Sequence, residues 1–153
     1  MVLNYIFDLE TLGLEPTTDR IICITLKNTE TNEIISILNE DEKIMLESFW
    51  ENIKDCDSLI GFNSDTFDIP YLIKRSIINN VKITKQLKDI KLIDLRKIVN
   101  CFDLNPNIYI KGSLRFWAGI MNIKVETENG EHMPLYWSNK EFDKIKQHNE
   151  EDV

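Results

Sequence analysis

Asp8 and Glu10 stand two residues apart in Phe7-Asp8-Leu9-Glu10-Thr11-Leu12-Gly13-Leu14, at the end of the first apolar run of the chain. In a strand, residues two apart share a face, so both carboxylates project together from its C-terminal end. Two such charges about 4 Å apart repel by roughly 1 kcal/mol in water and about 4 kcal/mol at an effective dielectric near 20. A hard divalent cation removes that cost, and Mg²⁺ and Mn²⁺ favour oxygen ligands. Alone, Asp-x-Glu is also an ordinary way for a strand to enter a turn, so residues elsewhere in the chain must decide.

Two later stretches supply more acids. Gly61-Phe62-Asn63-Ser64-Asp65-Thr66-Phe67-Asp68-Ile69-Pro70-Tyr71-Leu72 places Asp68 where a strand gives way to a helix. Helices that follow parallel strands begin at the carboxyl edge of the sheet, where α/β ligands bind. Asp65 is a second acidic candidate there, better suited to capping the helix. At the end of the chain, His148-Asn149-Glu150-Glu151-Asp152 sets His148 and Asp152 four apart, on one face of a helix. An acidic tail with one histidine also fits a solvated chain end.

The elements that must position these groups follow from periodicity. Val2 to Phe7 reads as a buried strand, and Arg20–Lys27 and Glu33–Leu38 as two more joined by the polar turn Asn28–Asn32. Together they predict an antiparallel meander. Asp41 to Lys54 has the spacing of an amphipathic helix, with Asn39 or Asp41 as its cap. Ser58–Asn63 predicts a strand parallel to the first, a helix runs from about Phe67 to Ile78, and Ile90–Leu95 predicts a fifth strand before a short helix over Arg96–Val99. Ser113 caps a helix to Met121, Asn129-Gly130 marks a turn, and Ser138 with Glu141 has capping-box spacing for a final helix through His148.

The totals set bounds. A length of 153 residues suits a single domain over 1–153 with a sizeable core. A net charge of −8 argues against electrostatic attraction to duplex nucleic acid or to an anionic membrane as the main activity. It is compatible with a nuclease whose surplus carboxylates hold cations. Cys23, Cys56 and Cys101 are widely separated, with no Cys-x-x-Cys, and read as reduced core thiols of a cytoplasmic protein. No signal peptide or membrane span is expected.

Taken in order, Asp-x-Glu, then Asn-x-x-x-Phe-Asp, then His-x-x-x-Asp resembles the DEDD superfamily of 3′–5′ exonucleases, most of all the stand-alone relatives of the proofreading domain of B-family DNA polymerases. The residues that carry it are Phe7-Asp8-Leu9-Glu10-Thr11, Asn63 with Phe67-Asp68-Ile69-Pro70-Tyr71-Leu72, and His148 through Asp152. In the polymerase-like branch the third motif has tyrosine where this chain has His148, and the branch that uses histidine has one more residue before the aspartate. The resemblance implies a ribonuclease H-like α/β fold, with a mixed five-stranded sheet (antiparallel meander, then parallel strands) flanked by helices.

It also implies a chemistry, hydrolysis of phosphodiester bonds at the 3′ end of single-stranded DNA or RNA with two Mg²⁺ or Mn²⁺ ions. Asp8 would bridge the ions, Glu10 and Asp152 would complete one, and Asp68 would bind the other. His148 would deprotonate or orient the attacking water, a role suited to a group of pKa near 6.5. Thr11 and Leu12 would present backbone amides and an apolar wedge to the terminal nucleotide. Asn63 and Phe67 would line the same cleft, where stacking is worth roughly 1–3 kcal/mol per base.

Core packing is the other reading for Phe67 and Leu14, and Tyr71, Phe116 and Trp117 read as core. His132 reads as surface. Lys74, Arg75, Lys111 and Arg115 are the cations open to phosphate contact, although a solvated face explains them equally well. A nuclease fold kept for binding a polymerase or another nucleic-acid-processing protein is the rival to catalysis. Endonucleolytic cleavage of a hybrid or junction shares the same fold and metals.

Overall fold

A computed structural model describes residues 2–99, 112–125 and 130–153. Cys101 as a core thiol, Lys111 as a phosphate contact and Asn129 of the Asn129-Gly130 turn lie outside those residues. Strand β1 (Asn4–Thr11) pairs antiparallel with β2 (Ile21–Asn28), which pairs antiparallel with β3 (Ile34–Ile37). On its other edge β1 runs parallel to β4 (Ser58–Gly61), and β4 parallel to β5 (Lys91–Asp94). The sheet order β3-β2-β1-β4-β5 is the expected mixed five-stranded sheet.

Alternation along β1 sorts its side chains between two layers. Tyr5, Phe7 and Leu9 enter a core with helix α1 (Glu42–Asn52) and helix α2 (Asp68–Ile78), through Met45, Leu46, Phe49, Trp50, Ile69, Tyr71 and Leu72. Asp41 caps α1 by accepting from the Lys43 amide. A smaller apolar cluster of Ile22, Cys23, Met133 and Ile145 joins β2 to α5 (Met133–Ser138) and α6 (Phe142–Glu151). Between the two stretches of helix lie α3 (Leu95–Val99) and α4 (Leu114–Ile120), the latter capped by Ser113.

Three sequence readings need correction. Ser138 does not cap the last helix; it ends α5, its hydroxyl donating to the Leu135 carbonyl. Lys140 takes a left-handed φ of 58°, and the amides of Glu141 and Lys140 bond the carbonyls of Tyr136 and Trp137. That pattern closes a helix with a Schellman turn, so the chain breaks and restarts at Phe142. Phe116 is exposed and Trp117 only half-buried, so neither is a fully buried core residue. Asp65 does not cap α2, because its carboxylate pairs with Lys97. Tyr71 is buried, His132 is exposed, and Cys23 and Cys56 are buried free thiols, as expected. Among the described residues no helix is long and apolar enough to cross a membrane.

Candidate metal centre

Asp8 and Glu10 point to the face of β1 opposite Phe7 and Leu9, toward α6, which packs on β1, β2 and β3. The helical period puts Ile145, His148, Asn149 and Asp152 on one stripe of α6. Ile145 anchors that stripe in the core, and Ser36 holds it at β3 by donating to Glu150. The next turn of the helix therefore lands on the acids. Asn149, fully buried, donates from Nδ2 to Asp8 Oδ2 at 2.8 Å. His148 Nε2 lies 3.3 Å from Glu10 Oε1 and 3.9 Å from Asp152 Oδ2.

Asp68 arrives from the other side. Beyond Ile6, β1 is no longer paired to β4, and the Leu9 amide donates to the Asp68 carboxylate. Asp68 is the first residue of α2, where its own backbone N–H also favours the ionised form. The turn that delivers it is pinned by Asp94, which accepts from the amides of Asn63 (2.8 Å), Asp65 (3.3 Å) and Arg96 (2.9 Å). Asp94 was not singled out from the sequence. A carboxylate at the end of the parallel strand beside β4 is the signal that could have found it.

The electrostatics report the crowding. Burial, then the charges of Asp68, Glu10 and Asp152, hold the Asp8 carboxyl well above its usual range, against the Asn149 hydrogen bond. Burial pushes Glu10 up to about 8, with Asp152 and Asp68 adding to it and Arg115 opposing. Burial also pushes Asp68 up to about 7, and raises Asp152. For His148 burial acts the other way and lowers its pKa, favouring the neutral imidazole. Four acids from three distant segments therefore form one electrostatic unit.

A divalent cation fits this donor set. Glu10, His148 and Asp152 each offer an atom within 4.8 Å of the others. Asn149 Oδ1 is buried with no hydrogen-bond partner, on the amide that already bonds Asp8. A Cβ on Gly130 would stand 3.6 Å from His148 Nε2 and 3.7 Å from Glu10 Oε2, in ordinary van der Waals contact with both, so Gly130 lies directly against this pair. Neither Gly130 nor Asn149 was assigned a role from the sequence, although both lie in or beside stretches that were noted.

A cavity of about 390 Å³ opens over Glu10. Thr11, Leu12 and Phe67 line it, with Leu14 and Gly130. Asn63 is not among its lining residues: its side-chain oxygen accepts from Thr66 and Arg96, and its φ of 64° makes it a turn residue. Of the cations, Arg75 is committed elsewhere, its guanidinium paired with buried Glu42 and bonded to the Pro16 carbonyl. Arg115 acts on the charges of Glu10, His148 and Asp152, and Lys74 is exposed.

This sheet, with an acidic cleft at the carboxyl edge of β1, defines a nuclease-type α/β domain. The chain belongs to the RNase_H superfamily, whose sequence model matches residues 5–153. It is 33% identical over 137 residues to an uncharacterized protein of Methanocaldococcus jannaschii, covering 86% of this chain and 74% of that one. A DNA polymerase of Archaeoglobus fulgidus is 42% identical over 77 residues, 46% of this chain and 10% of the polymerase. The family B DNA polymerase of Pyrobaculum calidifontis matches the fold of the whole chain with a TM-score of 0.82 at 20% identity. This chain covers 23% of that polymerase. The fold is thus an RNase H-like nuclease fold related to the exonuclease-type domain of such polymerases.

Proposed function

We propose that this protein is a metal-dependent 3′–5′ exonuclease acting on single-stranded nucleic acid. The observation that carries this reading is the gathering of Asp8, Glu10, Asp68 and Asp152 around one cleft, each carboxylate held above its ordinary pKa. Such a cluster is costly without counter-charge, and paired Mg²⁺ or Mn²⁺ ions are the counter-charge that its oxygen donors suit. Asp8 feels the charges of Asp68, Glu10 and Asp152 alike, so it would share in holding ions with any of them. Asp8, Glu10, Asp68 and Asp152 would hold such ions, and the chemistry supplied there would be charge stabilisation of the oxygens of an in-line displacement.

The protein's own groups do the rest. Asn149 orients Asp8, and the Leu9 amide orients Asp68. Leu12 and Phe67 give the cavity apolar walls for a terminal base, and Thr11 lies beside Glu10, where the scissile phosphate would lie. A choice between a DNA and an RNA end would turn on contacts to the 2′-hydroxyl.

Incubating 3′- and 5′-labelled single-stranded oligonucleotides with Mg²⁺ or Mn²⁺ tests the proposal. Stepwise mononucleotide release from the 3′ end is expected, lost by about a thousandfold or more in Asp8→Ala. Wild-type protein that releases nothing, or an Asp8→Ala variant that keeps pace with it, overturns the reading.

A further inference from the structure

We propose that Thr25 is a positioning residue, whose hydroxyl holds the Asn149 amide with its nitrogen turned toward Asp8. The proposal rests on the metal-dependent reading above and deepens it, since Asp8 is the acid through which Thr25 would act.

Register places the residue. Thr25 on β2 is the direct cross-strand partner of Asp8, and Ser36 on β3 is the partner of Thr25. Directly opposed residues of antiparallel strands share a face, with Cβ atoms about 4.5–5.5 Å apart. Asp8, Thr25 and Ser36 therefore form one row across the sheet, on the face that α6 covers. Consecutive residues of α6 grip the two ends of that row: Asn149 donates to Asp8, and Glu150 accepts from Ser36. Thr25 lies between those ends, fully buried.

Hydrogen bonding is incomplete at two atoms here. Thr25 Oγ1 and Asn149 Oδ1 are both buried with no hydrogen-bond partner. That Asn149 oxygen belongs to the amide whose nitrogen is 2.8 Å from Asp8 Oδ2, and Asp8 is the residue that Thr25 faces. Each atom supplies what the other lacks, because a hydroxyl can donate and an amide oxygen can only accept. Buried polar atoms left unmade are costly, so the pair is expected to close, directly or across one bridging water. Burial pushes the Cys23 thiol up to about 12, and the Thr25 hydroxyl beside it opposes that rise. Sulfur is a weak acceptor, which makes the amide oxygen the stronger claimant for the hydroxyl proton.

An amide can meet a carboxylate with either edge, attractively by nitrogen and repulsively by oxygen. A donor on Oδ1 fixes the attractive choice, and with it the direction of Asp8. Partners one step behind a metal-binding group set its orientation in this way.

Thr25→Val keeps the side-chain shape and removes the hydroxyl. The side-chain amide protons of Asn149 report its orientation, and in a ¹⁵N spectrum of metal-free protein they are the pair missing from Asn149→Ala. In Thr25→Val they should shift and exchange with solvent about tenfold faster, and Thr25→Ser should restore the slow rate. By calorimetry Thr25→Val should weaken Mn²⁺ binding about tenfold, with Thr25→Ser within about threefold of wild type. In an Asn149→Ala background Thr25→Val should add less than about twofold, since the path through the amide is gone. Wild type gives a reading without any substitution, a Thr25 hydroxyl proton protected from exchange and in nuclear Overhauser contact with the Asn149 side chain.

Absence of that contact overturns the proposal, as do Asn149 protons unmoved by Thr25→Val. Equal weakening of Mn²⁺ binding in both backgrounds also overturns it, leaving Thr25 a packing residue. A wild type that binds Mn²⁺ with the expected Thr25 effects but releases no nucleotides supports the role of Thr25 while defeating the exonuclease reading. A wild type that binds no Mn²⁺ defeats the metal-dependent reading, and the amide and hydroxyl protons still support or overturn the hold of Thr25 on Asn149.

Discussion

Glu10 titrates at about 8 because burial strips its carboxylate of water, with Asp152 and Asp68 close by. Its ordinary value is 4.5, and Asp68 moves likewise from 3.8 to about 7. Both folded-state values exceed the unfolded ones, so between those limits the native protein binds more protons than the unfolded chain. Stability contributed by these protons is complete at low pH and is lost as pH rises through the folded pKa values. Metal-free protein is therefore expected to melt at progressively lower temperature from about pH 5 to pH 8. Thermal melts in a chelator check this, and Glu10→Gln should flatten the slope. A melting temperature that climbs over that range contradicts the shared burial of these acids.

At the scale of elements, the site depends on turns more than on the strands themselves. Asp94 accepts three backbone amides of the segments that follow β4 and β5, and so fixes where α2 begins. Removing it in Asp94→Ala leaves three part-buried N–H groups without a charged acceptor, at a cost of about 1–3 kcal/mol. Urea unfolding should read that loss, and a change below about 0.5 kcal/mol would deny Asp94 this role.

On the other side of α2, Tyr71 donates its hydroxyl to the Gly13 and Asp19 carbonyls, and buried Glu42 accepts from the Ile21 amide and Arg75. These bonds hold the loop after Thr11, which carries Leu12 at the cavity wall. The break between α5 and α6 shows how a local signal misleads. Ser138-Asn139-Lys140-Glu141 has the letters of a capping box, yet packing of Met133, Tyr136 and Trp137 makes it a helix end.

For the whole molecule, a net charge of −8 concentrated in part on one cleft makes bound cations the natural stabiliser of the folded state. A ligand that binds only the folded form stabilises by RT ln(1 + [L]/Kd), about 2.7 kcal/mol at a hundredfold excess over Kd. Millimolar Mn²⁺ should accordingly raise the melting temperature of the wild type by several degrees, and leave Asp8→Ala/Asp68→Ala nearly unmoved. An equal rise in both proteins would place the binding elsewhere.

Alternation and helical spacing by themselves determined the strand order's raw material: a meander, then strand–helix units, with Asp8 and Glu10 on one face and His148 and Asp152 on another. Those are local periodicities, set by backbone geometry within a few residues. Only the tertiary structure decided that the faces meet, that Asn149 reaches Asp8, that Gly130 lies against His148 and Glu10, and that Arg75 is spent on Glu42. Those contacts join residues up to 141 positions apart, and distance along the chain leaves no pattern that a short window can read.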